Sequence, residues 1–210
     1  MPVCLYVATS SQGKLRDFRT AAEAHSTCLE PLPGLADIEA PEEDGDTFAA
    51  NATIKAVYYS QFAPGELVLA DDSGLEVDAL DGGPGVRTRR YAGEDATDEQ
   101  NNTKLLRALD GLSPDRRGAR YVCVLALALP AERGPRGGQP LTVVRGTCRG
   151  RIARAPRGSG GFGYDPIFEP SSEPPGGRTL GEWSQEAKNA ISHRGAAARR
   201  MTPILRRHGF

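Results

Sequence analysis

Residues 67–75 combine a short apolar run with two adjacent carboxylates, a hydroxyl group and a glycine. An apolar run of this length that is bounded by polar residues predicts a buried strand. Ligands of open α/β sheets bind beyond the carboxyl ends of the strands, so Asp71 and Asp72 at a strand exit are suited to holding a divalent metal. Aspartate, serine and glycine are also the commonest turn residues, and a plain turn is the alternative.

Lysine is scarce in this chain, and three of its four positions fall beside other polar motifs. The 26 basic residues include only Lys14, Lys55, Lys104 and Lys188. A chain that otherwise uses arginine and keeps a few lysines indicates a need for a compact ammonium charge. Residues 39–46 predict an acidic loop before a helix, and on that helix Asn51 and Lys55 share the face that can point back toward the loop.

Residues 9–14 predict a loop between a first strand, at residues 3–7, and a helix that begins near Leu15. The free N–H groups of a helix N-terminus, together with the Lys14 ammonium group, suit a phosphate. The loop is not a P-loop, because Leu15 follows Gly13-Lys14 where that motif requires serine or threonine. An ordinary capped helix is the alternative.

Two segments near the C-terminus contain side chains suited to a nucleotide base. Residues 158–166 predict a flexible glycine loop in which Phe162 and Tyr164 can flank a flat base. The loop contains Gly-x-Gly-x-x-Gly, but proline follows where a dinucleotide-binding helix would begin. A predicted cap before the last helix places His193 and Arg194 in its first turn as readers of an anion or carbonyl, and Pro203 predicts a kink or an early end of that helix.

The composition excludes several classes of protein. The 26 basic and 27 acidic residues give a net charge of −1 with no basic stripe, which disfavours a nucleic acid as partner. There is no apolar run long enough to cross a membrane and no secretion signal at the N-terminus, which predicts a cytoplasmic protein without a membrane partner. The scattered cysteines, Cys4, Cys28, Cys123 and Cys148, predict reduced core thiols.

Taken together, these motifs resemble the inosine triphosphate pyrophosphatase family, which hydrolyses inosine, deoxyinosine and xanthosine triphosphates to the monophosphate and pyrophosphate. The matching segments are residues 8–14, 42–56, 70–75, 90–94, 160–168 and 188–195, in family order. The resemblance implies an α/β fold in which helices flank a long, twisted, mixed sheet. It also implies a single domain over residues 1–210, with two lobes and the active site in the cleft between them.

The resemblance further implies Mg²⁺ as the cofactor, a nucleoside triphosphate as the small-molecule substrate and a homodimer. It assigns Glu42 and Asp72 to the metal, and Asp72 also to accepting the proton of the attacking water. Lys14 and Lys55 would assist catalysis by stabilising the triphosphate. The implied substrate-binding residues are Thr9, Ser10, Ser11, Gln12, Gly13, Lys14, Ser73, Phe162, Gly163, Tyr164, Asp165, Lys188, His193 and Arg194.

Within this family pattern, Ser11 stands where asparagine is usual, which removes an amide donor from the phosphate loop. The choice between Asp71 and Asp72 as the metal ligand stays open. So do two alternative functions, a pyrophosphatase for modified pyrimidine triphosphates and a nucleotide-binding regulatory module without turnover. A kinase is disfavoured by the incomplete P-loop.

Overall fold

The computed structural model describes residues 5–23, 28–129 and 140–208. The described helices are α1 Gln12–Glu23, α2 Phe48–Ser60, α3 Asp98–Ala108, α4 Gln185–Ile191 and α5 His193–Arg207. The strands are β1 Leu5–Ala8, β2 Leu29–Pro31, β3 Val68–Val77, β4 Gly118–Ala128, β5 Pro140–Ile152 and β6 Phe168–Pro170. None of the helices in these ranges is both long and apolar enough to span a membrane.

The six strands form one open, mixed sheet in the order β2-β1-β3-β4-β5-β6. β1 pairs in parallel with both β2 and β3, whereas β5 and β6 are antiparallel. Tyr6 pairs with Val68 and Ala8 with Ala70, so the register of β1 against β3 ends directly before the two aspartates. The predicted α/β class and mixed sheet are therefore confirmed.

The chain divides into two compact units, and each has its own core. Unit 1 comprises Met1–Asp72, Cys123–Gly146 and Arg194–Phe210, and unit 2 comprises Ser73–Val122 and Thr147–His193. The core of unit 1 includes Phe18, Leu69, Leu125, Met201 and Leu205, and that of unit 2 includes Leu75, Leu105, Tyr121, Tyr164 and Phe168. Apolar side chains from both helices and strands contribute to each core, so each unit buries one face of its own elements.

Most local predictions for the helix starts are confirmed. Thr47 accepts from the Ala50 amide as the N-cap of α2, and Thr97 with Gln100 forms the predicted capping box of α3. The expected first strand is present as β1, and its predicted residues 3 and 4 lie outside the described residues.

The expected effect of Pro203 on the last helix is wrong in one respect, because α5 does not end early and continues to Arg207. Pro203 is exposed, whereas Met201 and Leu205 are buried in the unit 1 core. Packing of this apolar face maintains the helix despite the missing backbone donor.

The expectation of four reduced cysteines is also wrong. Cys123 and Cys148 are buried free thiols, but Cys28 is disulfide-bonded. Cys28 lies beside the start of β1, where its carbonyl accepts from the Leu5 amide at 3.0 Å. Scattered spacing does not reveal a disulfide, because the bond requires closeness in the fold and not in the sequence. Cys4 lies outside the described residues.

Candidate active site

The two adjacent aspartates lie inside a strand rather than at its exit or in a turn. β3 runs without interruption from Val68 to Val77, so both original interpretations of the Asp-Asp-Ser-Gly segment are wrong. Successive side chains of a strand point to opposite faces of the sheet, and the two carboxylates accordingly meet different helices. Asp71 is 2% exposed and Asp72 8% exposed.

Asp71 pairs with the lysine at the start of α1. Lys14 Nζ lies 2.8 Å from Asp71 Oδ2, and the carboxylate side chain is 1% exposed. Ser11 precedes α1, and its Oγ accepts from the Lys14 amide at 3.4 Å, as an N-cap does. Helix α1 begins at Gln12, a few residues before the expected start near Leu15, so Lys14 lies in its first turn beside free backbone donors.

Asp72 shares a second lysine with the acidic loop. Lys55 Nζ lies 3.2 Å from Asp72 Oδ1 and 2.9 Å from Glu43 Oε2. Asn51 Oδ1, one helical turn earlier on α2, accepts from the Gly45 amide at 2.8 Å and so fixes the loop. The prediction that Asn51 and Lys55 point back toward the acidic loop is confirmed. We refer to Lys14, Glu43, Lys55, Asp71 and Asp72 as the carboxylate cluster.

The neighbouring aspartates of this cluster have opposite pKa shifts. Burial acts to raise the pKa of Asp71, but the charges of Lys14, Lys55 and Arg194 outweigh it and lower that pKa. Burial also raises the pKa of Asp72, and there the repulsion from Glu43 and Asp71 leaves the net shift upward despite Lys55 and Lys14. A buried carboxyl group with a raised pKa is a stronger proton acceptor than a free one.

The structure holds one unsatisfied oxygen in this cluster that suits a divalent cation. Asp72 Oδ2 is buried and has no hydrogen-bond partner, whereas Oδ1 is held by Lys55. Glu42, the other predicted ligand, is exposed and makes no ion pair within the described residues. Over the same ranges, no three acidic, histidine or cysteine side chains group closely enough to bind a metal. Asp72 thus fits a hard cation, and ligation by Glu42 stays a prediction.

Arg194, one of the two predicted base-reading residues, lies in unit 1. Its Nη1 lies 3.0 Å from Asp17 Oδ2 in a buried ion pair, and its charge helps to lower the pKa of Asp71. Sequence reasoning missed Asp17, although it lies three residues after Lys14 on the same face of α1.

His193 belongs to unit 2, beside a second buried ion pair. Lys188 Nζ lies 2.6 Å from Asp165 Oδ2, and the Tyr121 hydroxyl donates to Asp165 Oδ1 at 3.2 Å. The His193 ring stacks on Tyr121 with a centroid distance of 4.8 Å and an interplanar angle of 9°. We refer to Tyr121, Asp165, Lys188 and His193 as the unit 2 polar cluster, in which Tyr121 was not expected from the sequence.

The glycine loop passes close to this polar cluster. Gly161 has a φ of +80°, and a Cβ atom there would overlap both Asp165 Oδ2 and Lys188 Nζ. The Phe162 amide donates to Asp165 Oδ2 at 3.2 Å. Glycine at position 161 is therefore required by both the backbone conformation and the close approach.

The two aromatic residues of the loop have different environments. Phe162 is half-buried, whereas Tyr164 is 2% exposed and its hydroxyl donates to the Thr88 carbonyl at 2.8 Å. The Tyr164 ring is part of the unit 2 core, so the expectation that it flanks a base is wrong. Alternation of glycine and aromatic residues did not distinguish a core ring from a ligand-facing one.

Helix α3 fixes the loop at Gly163. Asp98 Oδ2 accepts from the Gly163 amide at 2.6 Å, and Asn102 Nδ2 donates to the Gly163 carbonyl at 3.1 Å. Neither side chain was singled out from the sequence. The other predicted substrate-binding residues lie around the start of α1 and in β3. Around the start of α1, Thr9, Ser11 and Gly13 are partly buried, whereas Ser10 and Gln12 are exposed. In β3, Ser73 is partly buried.

The fold and these motifs agree with comparisons to known proteins. Residues 5–204 match the model of the Ham1 family. A protein from Acidobacterium capsulatum named dITP/XTP pyrophosphatase is 50% identical, over 95% of this chain and 96% of its own. A dITP/XTP pyrophosphatase from Geobacillus kaustophilus is 46% identical, over 92% of this chain and 89% of its own.

Among solved structures, a Ham1 protein from Coxiella burnetii has a TM-score of 0.81 and 38% identity, covering 98% of this chain and 99% of its own. The Staphylococcus aureus Ham1 protein also has a TM-score of 0.81, with 36% identity over 98% and 99% of the two chains. This chain therefore belongs to the Ham1 family, and the resemblance inferred from its sequence motifs is confirmed.

Proposed function

We propose that this protein is a nucleoside triphosphate pyrophosphatase that hydrolyses non-standard purine triphosphates, namely ITP, dITP and XTP, to the monophosphate and pyrophosphate. The observation that carries the proposal is the buried Asp72 carboxylate, which Lys55 holds through one oxygen and which keeps the other without a partner. The similarity over almost the whole chain to proteins named dITP/XTP pyrophosphatase supports the same activity.

The residues of unit 1 supply charge for the triphosphate and a base for water. The start of α1 and the Lys14 ammonium group bind phosphate oxygens, and Lys55 helps to stabilise the negative charge that develops on them. Asp72 accepts a proton from the attacking water, which its raised pKa favours. Attack at the α-phosphorus breaks the bond to the β-phosphate and releases pyrophosphate.

Asp72 and Glu42 would hold Mg²⁺ beside the triphosphate. When bound, this ion supplies Lewis-acid neutralisation of the phosphate oxygens. Glu42 lies in the same acidic loop as Glu43, which forms an ion pair with Lys55 beside Asp72. Glu43 is next to Glu42 in the chain and is a second carboxylate of this loop that could bind the ion.

The residues of unit 2 bind the base. Lys188 and His193 supply polar groups for a 6-keto oxygen, and Phe162 supplies an apolar surface for the ring. A site built to hydrogen-bond one group strongly rejects an analogue that carries a donor there, which explains exclusion of adenine. The homodimer, the cytoplasmic location and the two-lobed single domain with a cleft remain predictions.

A substrate panel tests this function. Pyrophosphate release is measured from ITP, XTP, ATP, GTP and a modified pyrimidine triphosphate, with Mg²⁺ and with a chelator. Metal-dependent release from ITP and XTP alone supports the proposal. Equal rates on all five triphosphates, preference for the modified pyrimidine triphosphate, or no release from any of them would contradict it.

A further inference from the structure

An arginine-lined cavity lies within unit 2, and the proposed reaction uses none of its side chains. The cavity has a volume of about 260 Å³. In the described part of the chain, its charged lining residues are Arg117, Arg151, Arg154, Arg157 and Glu169. Four guanidinium groups around one carboxylate leave the cavity with an excess of positive charge.

The carboxylate in this cavity is already neutralised by two of the arginines. Glu169 is 3% exposed, and its Oε1 accepts from Arg157 Nη2 at 2.8 Å. Its Oε2 accepts from the Gly176 amide at 3.2 Å and lies 3.6 Å from Arg151 Nη1. The other two guanidinium groups, of Arg117 and Arg154, form no ion pair with Glu169, and its charge acts on Arg117 only from a longer distance.

Arg117 is a buried cation without a carboxylate partner. It is 4% exposed, and its guanidinium group donates to the carbonyls of Ile152, Ala153 and Leu109 at 2.6–2.8 Å. No carboxylate within the described ranges lies at ion-pair distance from it. Burial, followed by repulsion from Arg154, lowers the pKa of Arg117, and the weaker attraction of Asp110 and Glu169 does not offset this shift. A cation in this position gains stability from any anion that enters the cavity.

Arg154 is the side chain available to receive such an anion. It is exposed, and within the described residues it makes neither a hydrogen bond nor an ion pair. A guanidinium fork matches the oxygens of a phosphate group better than a point charge does.

We propose that this cavity binds a small phosphate-type oxyanion, inorganic phosphate or pyrophosphate. Arg154 is the main ligand, Arg151 contributes a second guanidinium group, and Arg117 provides buried positive charge behind them. The cavity is smaller than the roughly 300–1,000 Å³ typical of sites for larger organic ligands, which favours a free oxyanion over a whole nucleotide.

The test is a titration of the protein with phosphate and, separately, pyrophosphate at constant ionic strength, followed by amide NMR. The amides of Ala153 and Gly176 report on the cavity, and those of Gly13 and Lys14 report on the phosphate region of unit 1. We expect saturable shifts at Ala153 and Gly176. Arg154→Gln should weaken this affinity about tenfold or more, because a charge-assisted contact is lost.

Arg107→Gln is the matched control, because it removes another exposed guanidinium group of unit 2 that does not line the cavity. It should leave the affinity at Ala153 and Gly176 unchanged. Saturation by only one of the two anions identifies that anion as the ligand and supports the proposal. Shifts confined to Gly13 and Lys14, or equal affinity in Arg154→Gln with an otherwise unchanged spectrum, would overturn it. The proposed hydrolysis does not depend on either result.

Discussion

Asp71 and Asp72 are neighbours in β3 that we expect to respond differently to the loss of their charge. Asp71→Asn removes the 2.8 Å ion pair of a carboxylate that is 1% exposed. A hydrogen bond to a charged group contributes about 1.5–3 kcal/mol, so the free energy of unfolding should fall by about that amount. For a chain of this length the corresponding fall in Tm is roughly 3–12 °C.

Asp72→Asn should change stability by less than about 1 kcal/mol, because two effects oppose each other. The substitution weakens the 3.2 Å contact with Lys55, which keeps its 2.9 Å contact with Glu43. It also replaces a buried carboxylate whose Oδ2 has no partner, and this removes an unfavourable buried charge.

The assay is urea denaturation of both variants and the parent protein in chelator at pH 7, combined with pyrophosphate release from ITP in Mg²⁺. We expect Asp72→Asn to retain stability and lose activity. If it instead destabilises the protein as much as Asp71→Asn does, Asp72 has a structural role and the reasoning is refuted.

The remaining predictions concern pH and the glycine loop. In metal-free protein the pKa of Asp72 is raised, so the folded state binds this proton at a higher pH than the unfolded state does, and the group adds stability as pH falls. The pKa of Asp71 is lowered, so this group adds stability above about pH 4 that is lost at lower pH. Stability measured from pH 7 to 3 should therefore rise less on acidification in Asp72→Asn, and an identical profile would contradict the shift. Gly161→Ala should raise KM for ITP at least tenfold, because its Cβ meets the Asp165 carboxylate. A Cβ at position 163 has nothing within 4 Å, so Gly163→Ala should only lower the free energy of unfolding, by about 1–2 kcal/mol of backbone strain. Equal kinetic effects of the two alanines would contradict the close approach.

A final prediction in this group concerns Tyr164, whose hydroxyl donates to the Thr88 carbonyl. Tyr164→Phe should lower the free energy of unfolding by about 0.5–1.5 kcal/mol and leave the choice among triphosphates unchanged. Thermal unfolding and the substrate panel measure both effects, and altered base selection without a stability change would show that the Tyr164 hydroxyl contacts substrate.

Much of the fold was predictable because its signals are local. The caps at Thr47 and Thr97, the apolar runs of β1 and β3 and the helical face shared by Asn51 and Lys55 each depend on residues close in sequence. Local propensity and periodicity report directly on such features.

The errors fall where tertiary contacts determine the outcome. Asp-Asp-Ser-Gly favours a turn locally, yet pairing within the sheet and the two lysines keep it in β3. The sequence does not tell which of two adjacent polar residues meets a given partner. The structure shows that Glu43 pairs with Lys55, that Arg194 pairs with Asp17 and that His193 stacks on Tyr121. The arginine cavity likewise depends on residues from separate segments, which no single motif reveals.

The most direct test of the central claim is hydrolysis of ITP in ¹⁸O-labelled water, with the label located by mass spectrometry. We predict one labelled oxygen in inosine monophosphate and unlabelled pyrophosphate, because water attacks the α-phosphorus. Label in pyrophosphate, or orthophosphate as the first product, would contradict the proposed reaction.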